Sequence, residues 1–175
     1  MKSKLHYTLK AWPVIAIATI ALCYLTQLVA GWFGITLNEQ ANVDTVRKVL
    51  AHAFDSARYF CSAAIIVAEI VVILPAIEEV VFRWLLYKKC CDWSTRLIHH
   101  STSILHSSFF ILSSLVFSAA HYLAQHWPDN AFVALFFFGL TECYLYRKTE
   151  RLWCAILNHG LFNLTNLVLL LFISP

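Results

Sequence analysis

The sequence predicts an all-α fold, a polytopic transmembrane helical bundle of about five spans with a polar site in the bundle interior. Three observations carry that prediction. Of 175 residues, 60% are hydrophobic and only 13% are charged, about half the charged fraction of a soluble domain. Apolar stretches long enough to cross a bilayer recur along the chain. Inside those stretches, ionisable side chains stand at helical spacing rather than at the edges alone.

The elements follow in order. A first span runs from about Ala11 to Phe33, 23 residues without a charge, or about 34 Å of helix. Its basic flank (Lys2, Lys4, Lys10) also suits a signal peptide, but the apolar run is long for one and "QLVAG" is a poor cleavage site. It reads as a retained anchor. Residues 34–59 form a mixed-charge connection with room for a short surface helix. A second span runs from Phe60 through "PAIEEVVFRWLL" to about Tyr87, and Pro75 is predicted to kink it or to start a new segment. The polar connection "KKCCDWSTRLIHHSTS" leads to a third span, Ile104 to Leu123. After a "HWPDN" turn comes a fourth, Ala131 to Tyr146, and after the "RKTER" link a fifth, Leu152 to Ile173. The chain is expected to be a single membrane domain over 1–175, with 1–59 as anchor and connection and 60–173 as the motif-bearing core.

Charge sets the expected topology. With the N-terminus cytoplasmic, the inner segments hold Lys2, Lys4, Lys10, Lys88, Lys89, Arg96, Arg147, Lys148 and Arg151, against Arg47, Lys48 and Arg58 outside. The positive-inside rule favours that orientation. No basic run interleaved with aromatics is present, so nucleic acid is not an expected partner. The six cysteines form no CxxC pair and no disulfide framework.

A charge at the centre of a membrane helix is expensive, about 2.5–3.5 kcal/mol on insertion scales. Each one therefore calls for a partner or a task. Glu79 and Arg83 are spaced i,i+4 and share a face, as an ion pair would. Glu78 is turned about 100° from Glu79 and is left free to act. The bland alternative is a membrane–water boundary with Arg83 snorkelling. In "FSAAHYL", Phe117 and His121 share one face of the third span. In "AILNHGLFNLTN", His159 and Asn163 share one face in mid-span, with Gly160 permitting close packing. A carboxylate, two imidazoles and an amide suit activation of a water by general base catalysis and stabilisation of an oxyanion. The same Glu78, His121 and His159 also make a plausible three-ligand zinc site, although no HExxH is present. Glu69 and Glu142 are further intramembrane acids for which structural or interface roles are expected, Glu69 facing roughly away from Glu78 on a straight helix.

"EEVVFR", "FSAAH" and "HGLFN" resemble, in order, the EExxxR, FxxxH and HxxxN motifs of the CPBP family, the CAAX proteases and bacteriocin-processing proteins also called the Abi family. The stretch "ALFFFGLTECYLYRKTERLWCAILNHGLFNLTN" resembles that family's final helical hairpin, and the likeness covers about residues 60–170. It implies an intramembrane glutamic endopeptidase similar to the type II CAAX prenyl endopeptidases, hydrolysing a peptide bond of a membrane-associated substrate, prenylated or not. Glu78 is then the general base, assisted by His121. His159 and Asn163 hold the oxyanion, while Glu79, Arg83 and Phe117 support the site. No cofactor is implied, with zinc as the alternative. The expected location is the plasma (inner) membrane of a prokaryote. Family members commonly have more spans, which leaves substrate access open here. Two other functions stay in view: a non-enzymatic chaperone or regulator of membrane proteins, and a small transporter or proton relay.

Overall fold

In a computed structural model, which describes residues 2–37, 43–98, 102–124 and 131–173, every regular element among the described residues is helical. Helix α1 (Lys2–Trp32) includes the basic flank as well as the predicted anchor. A short amphipathic helix α2 (Val43–Ala51) lies in the mixed-charge connection. Ser56 then caps the next helix, its hydroxyl accepting from the Tyr59 amide at 3.4 Å, which satisfies one of the orphan donors of a first turn.

From Ala57 the chain forms a single long rod: α3 (Ala57–Ala68), a π-helical segment (Glu69–Ile73), α4 (Leu74–Glu79), a second π-helical segment (Val80–Lys89) and α5 (Cys90–Ile98). The helix was expected to stop near Tyr87. It instead continues through most of the polar connection, because "CCDWSTRL" is amphipathic and lays its buried Cys91 against the following helix, 3.4 Å from His106 Nδ1. Pro75 starts a new segment, as expected, at the first turn of α4, where its missing N–H is tolerated.

Helices α6 (Thr102–Ala124), α7 (Phe132–Thr149) and α8 (Leu152–Ile173) complete the bundle. The "HWPDN" turn lies outside the described residues. Among the described residues, four helices are long and apolar enough to span a membrane: Lys2–Trp32, Ala57–Leu97, Ile104–Leu123 and Leu152–Phe172. The fourth expected span, α7, is different. It carries Glu142, Arg147 and Lys148, and one whole face of it is buried, with α1, α6 and α8 packed around it. This chain is an integral membrane protein in which α7 is the central stave.

Two apolar clusters hold the staves together. One joins Ala16, Phe117, Ala131, Leu135, Phe138 and Phe162, and the other joins Tyr87, Cys143, Tyr146 and Ala155. Small residues allow close approach between α6 and α7. A Cβ added to Gly139 would sit 3.0 Å from Ser114, tighter than side chains normally pack. At the end of α7, Glu150 closes the helix in a left-handed conformation, and Lys4 Nζ donates to the Thr149 carbonyl. A cation at a helix C-terminus is well placed against the dipole.

Candidate active site

The site is built where α8 meets the rod. In a π-helix each N–H bonds the carbonyl five residues back, and Leu74 does so to Glu69. The next N–H in that pattern belongs to residue 75, a proline, so the Ile70 carbonyl is left without its backbone donor. Asn163 supplies one, its Nδ2 donating to Ile70 O at 2.9 Å. Three residues earlier on α8, Gly160 lies directly against the neighbouring carbonyl. A Cβ there would be 2.4 Å from Val71 O. Pro75, Asn163 and Gly160 thus fix how closely α8 docks, and that docking presents His159 to the two glutamates.

The inner half of the site is a buried chain of charges. Arg83 Nε lies 3.1 Å from Glu79 Oε2, both side chains being completely buried. The other Glu79 oxygen lies 2.9 Å from His159 Nδ1. The Arg83 guanidinium also rests on the Phe117 ring, 4.5 Å from its centroid, as a cation–π contact. Phe117 in turn stands edge-on to His159 at 5.8 Å and tilted beside His121 at 4.5 Å. His121 is held by its own turn, with Nδ1 at 3.0 Å from the Phe117 carbonyl. That contact makes Nδ1 the donor and leaves Nε2 directed at Glu78.

Glu78 occupies the outer half. One carboxylate oxygen lies 3.7 Å from His121 Nε2 and the other 3.5 Å from His159 Nε2. Both separations exceed a direct hydrogen bond yet are short enough for strong electrostatic coupling. Glu78 keeps 22% of its side chain exposed and His121 25%, against 4% for His159 and none for Glu79 or Arg83. One carboxylate is therefore accessible and the adjacent one is sealed.

Six of the seven residues singled out from the sequence meet in this cluster by direct side-chain contact. Asn163 is the exception: its amide is tied to the rod backbone rather than to Glu78 or either histidine. Two contacts were not anticipated. Glu79 was assigned only to Arg83, but it also orients His159. Glu142 is fully buried and its Oε1 accepts from Asn158 Nδ2. The sequence signal for that pair was an acid and an amide on adjacent apolar helices, with Asn158 immediately before His159. Glu69 lies in the first π segment with its side chain exposed. Among the described residues, no group of three His, Cys, Asp or Glu side chains is disposed to hold a metal ion.

The helical membrane bundle thus encloses an accessible carboxylate between two imidazoles, backed by a buried ion pair. The family is shown directly by the sequence. Residues 59–165, more than half of the chain, match the family model for type II CAAX prenyl endopeptidase Rce1-like proteins, and the chain belongs to that family. No curated protein and no solved structure gives a significant match. Family membership makes the chain a CAAX-protease-like intramembrane protease, and the family acts on membrane-associated prenylated proteins. The matched segment begins at the rod and ends two residues beyond Asn163, so it contains every residue of the cluster.

Proposed function

We propose that this chain hydrolyses a peptide bond of a membrane-associated, prenylated CAAX-type substrate with a water activated by Glu78. The observation that carries the reading is the contrast between the adjacent acids. Glu79 is neutralised by Arg83 and sealed, whereas Glu78 is accessible and faces two imidazoles on other helices. A water between Glu78 and His121 loses a proton to Glu78 as its oxygen attacks the scissile carbonyl. The proton then passes to the leaving nitrogen as the C–N bond breaks. His121, with Nδ1–H spent on the Phe117 carbonyl, presents the Nε2 lone pair to that water and orients it.

His159 is assigned to the oxyanion. That role requires both ring nitrogens to carry hydrogen while charge develops, Nδ1–H on Glu79 and Nε2–H on the substrate oxygen. Preorganised donors of this kind contribute most where water is excluded, which suits a residue that is 4% exposed. Asn163 uses one amide hydrogen on Ile70 O and has a second to offer the same oxyanion. Pinned to the rod in this way, it loses little freedom when substrate binds. The chain is oriented with its N-terminus in the cytoplasm, at the plasma membrane of a prokaryote.

The test is turnover of a farnesylated CAAX peptide reporter by the purified chain in lipid nanodiscs. Glu78→Gln is expected to lower kcat by about 10²–10⁴-fold, the usual contribution of a general base, with thermal unfolding unchanged. Cleavage that persists in that variant refutes the assignment of the base. Loss of wild-type turnover on chelation, restored by zinc, would instead support the alternative in which Glu78, His121 and His159 hold a metal-bound water. A cellular effect that survives both Glu78→Gln and His121→Ala would point to a chaperone or regulator.

A further inference from the structure

Glu142 belongs to none of the three motifs, and packing alone does not explain it. It sits on the buried face of α7 beside Gly139 and Cys143, where a leucine would fill space without the expense of burying a carboxyl group. Glu142, Asn158, Glu79 and Arg83 are all completely buried. Asn158 donates to one Glu142 oxygen. Among the described residues, six atoms of these four side chains are buried without a hydrogen-bond partner; Arg83 Nε and Glu79 Oε2 face each other as the ion pair, which leaves the donors Nη1 and Nη2 of Arg83 and the acceptors Oε2 of Glu142 and Oδ1 of Asn158. Two donors and two acceptors of matching chemistry therefore sit in one interior, and Glu142 is within electrostatic reach of both Arg83 and Glu79.

The contacts run from α7 through α8 to the rod, and charge rather than a hydrogen bond links the two ends. Glu142 on α7 holds Asn158 on α8, and Asn158 is covalently next to His159. His159 meets Glu79, Glu79 meets Arg83, and Arg83 is coupled to Glu142 by charge. We infer that Glu142 and Asn158 are positioning residues for the hydrolytic site, completing a ring through α7, α8 and the rod that holds Arg83 on Glu79 and His159 on Glu78. The ring explains why a second acid is retained near Glu79. Glu79 engages the guanidinium at Nε, and the nearby Glu142, coupled to Arg83 by charge, adds to the hold on the guanidinium that backs Glu79 against His159. Charge acts strongly over such separations where water is excluded.

The inference rests on the hydrolytic reading of the site, and the experiment separates the two. Glu142→Gln, Glu142→Leu and Asn158→Leu are made in the full chain in nanodiscs and assayed with the farnesylated reporter. Glu142→Leu is expected to lower kcat on the order of tenfold, about what one lost hydrogen bond is worth, with KM unchanged. Glu142→Gln keeps the bond to Asn158 but loses the charge facing Arg83, so its kcat falls between. Equal kcat in all three variants, or a change confined to thermal stability, overturns the inference. A wild-type chain that cleaves no reporter refutes the proposed function alone. The ring is then read from the imidazole nitrogens of His159 by NMR of protein labelled with ¹⁵N-histidine, the signals being assigned by their loss in His159→Gln. Those signals move in Glu142→Gln and Asn158→Leu and stay in Phe137→Leu, an exposed change on the same helix, if the ring positions His159. Signals that stay put in every variant refute it.

Discussion

Gly160→Ala isolates the docking of α8 from everything else in the site. The added methyl carbon would stand 2.4 Å from the Val71 carbonyl oxygen, whereas carbon–oxygen contacts settle near 3.3–3.6 Å. The obstacle is backbone within the rod, so α8 must retreat by about 1 Å. Two energies then compete. Overpacking of this kind destabilises by about 1–3 kcal/mol, while alanine gains about 1 kcal/mol over glycine inside a helix. The net loss of stability is therefore at most about 2 kcal/mol and the variant folds. Catalysis has no such offset. A 1 Å retreat stretches the Asn163–Ile70 bond from 2.9 Å to about 3.9 Å, beyond hydrogen-bond range, and carries His159 away from both glutamates. Misplacement on that scale costs on the order of 10²-fold in rate. The expected signature is a small drop in the unfolding temperature with a kcat loss of about 100-fold, both measured on one nanodisc preparation. Undiminished kcat would show that the close approach of Gly160 to Val71 plays no part in setting the site.

The buried ion pair and the orientation supply two more outcomes. Glu79→Gln strands a buried guanidinium and is expected to destabilise by about 3–5 kcal/mol, whereas the double variant Glu79→Gln with Arg83→Met loses less than the sum of the two single changes, because neither member of the pair is left facing a missing partner. Strictly additive losses in thermal unfolding would mean that the two side chains do not depend on each other. With the N-terminus cytoplasmic, a cysteine placed at Asp55 in a cysteine-free background is expected to react with an impermeant maleimide added to intact cells, and one at Arg147 only after lysis. The reverse pattern inverts the topology.

Much of the site was legible because its partners share a helix or a motif spacing. The i,i+4 relation made Glu79 and Arg83 a pair without any knowledge of the fold, and a 100° offset set Glu78 apart from them. Contacts between helices left no such trace. Nothing in the spacing of Glu79 and His159, eighty residues apart, announces a 2.9 Å contact. Glu142 and Asn158 meet only because α7 and α8 pack face to face. Four of the five expected spans were legible from composition, but the nature of α7 was not. An 18-residue helix buried by protein on several sides tolerates charges that a lipid-facing helix of the same length does not. Pro75 was readable as a break. The π-helical turns around it were not, since no residue spacing in that stretch sets them apart from an α-helix.

Those π-helical turns have a consequence for how this chain tolerates change in length. Along a regular helix, azimuth is set by counting residues, and adding or deleting one rotates everything beyond it by about 100°. That angle is also what separates Glu78 from Glu79. A one-residue deletion among Glu69–Ile73 would therefore act as a phase slip, turning the rod so that the sealed acid takes the azimuth of the open one and the open acid moves to that of Ile77, relative to the histidines of α6 and α8. Two neighbouring glutamates of identical chemistry owe their different occupations to the winding of the turns before them.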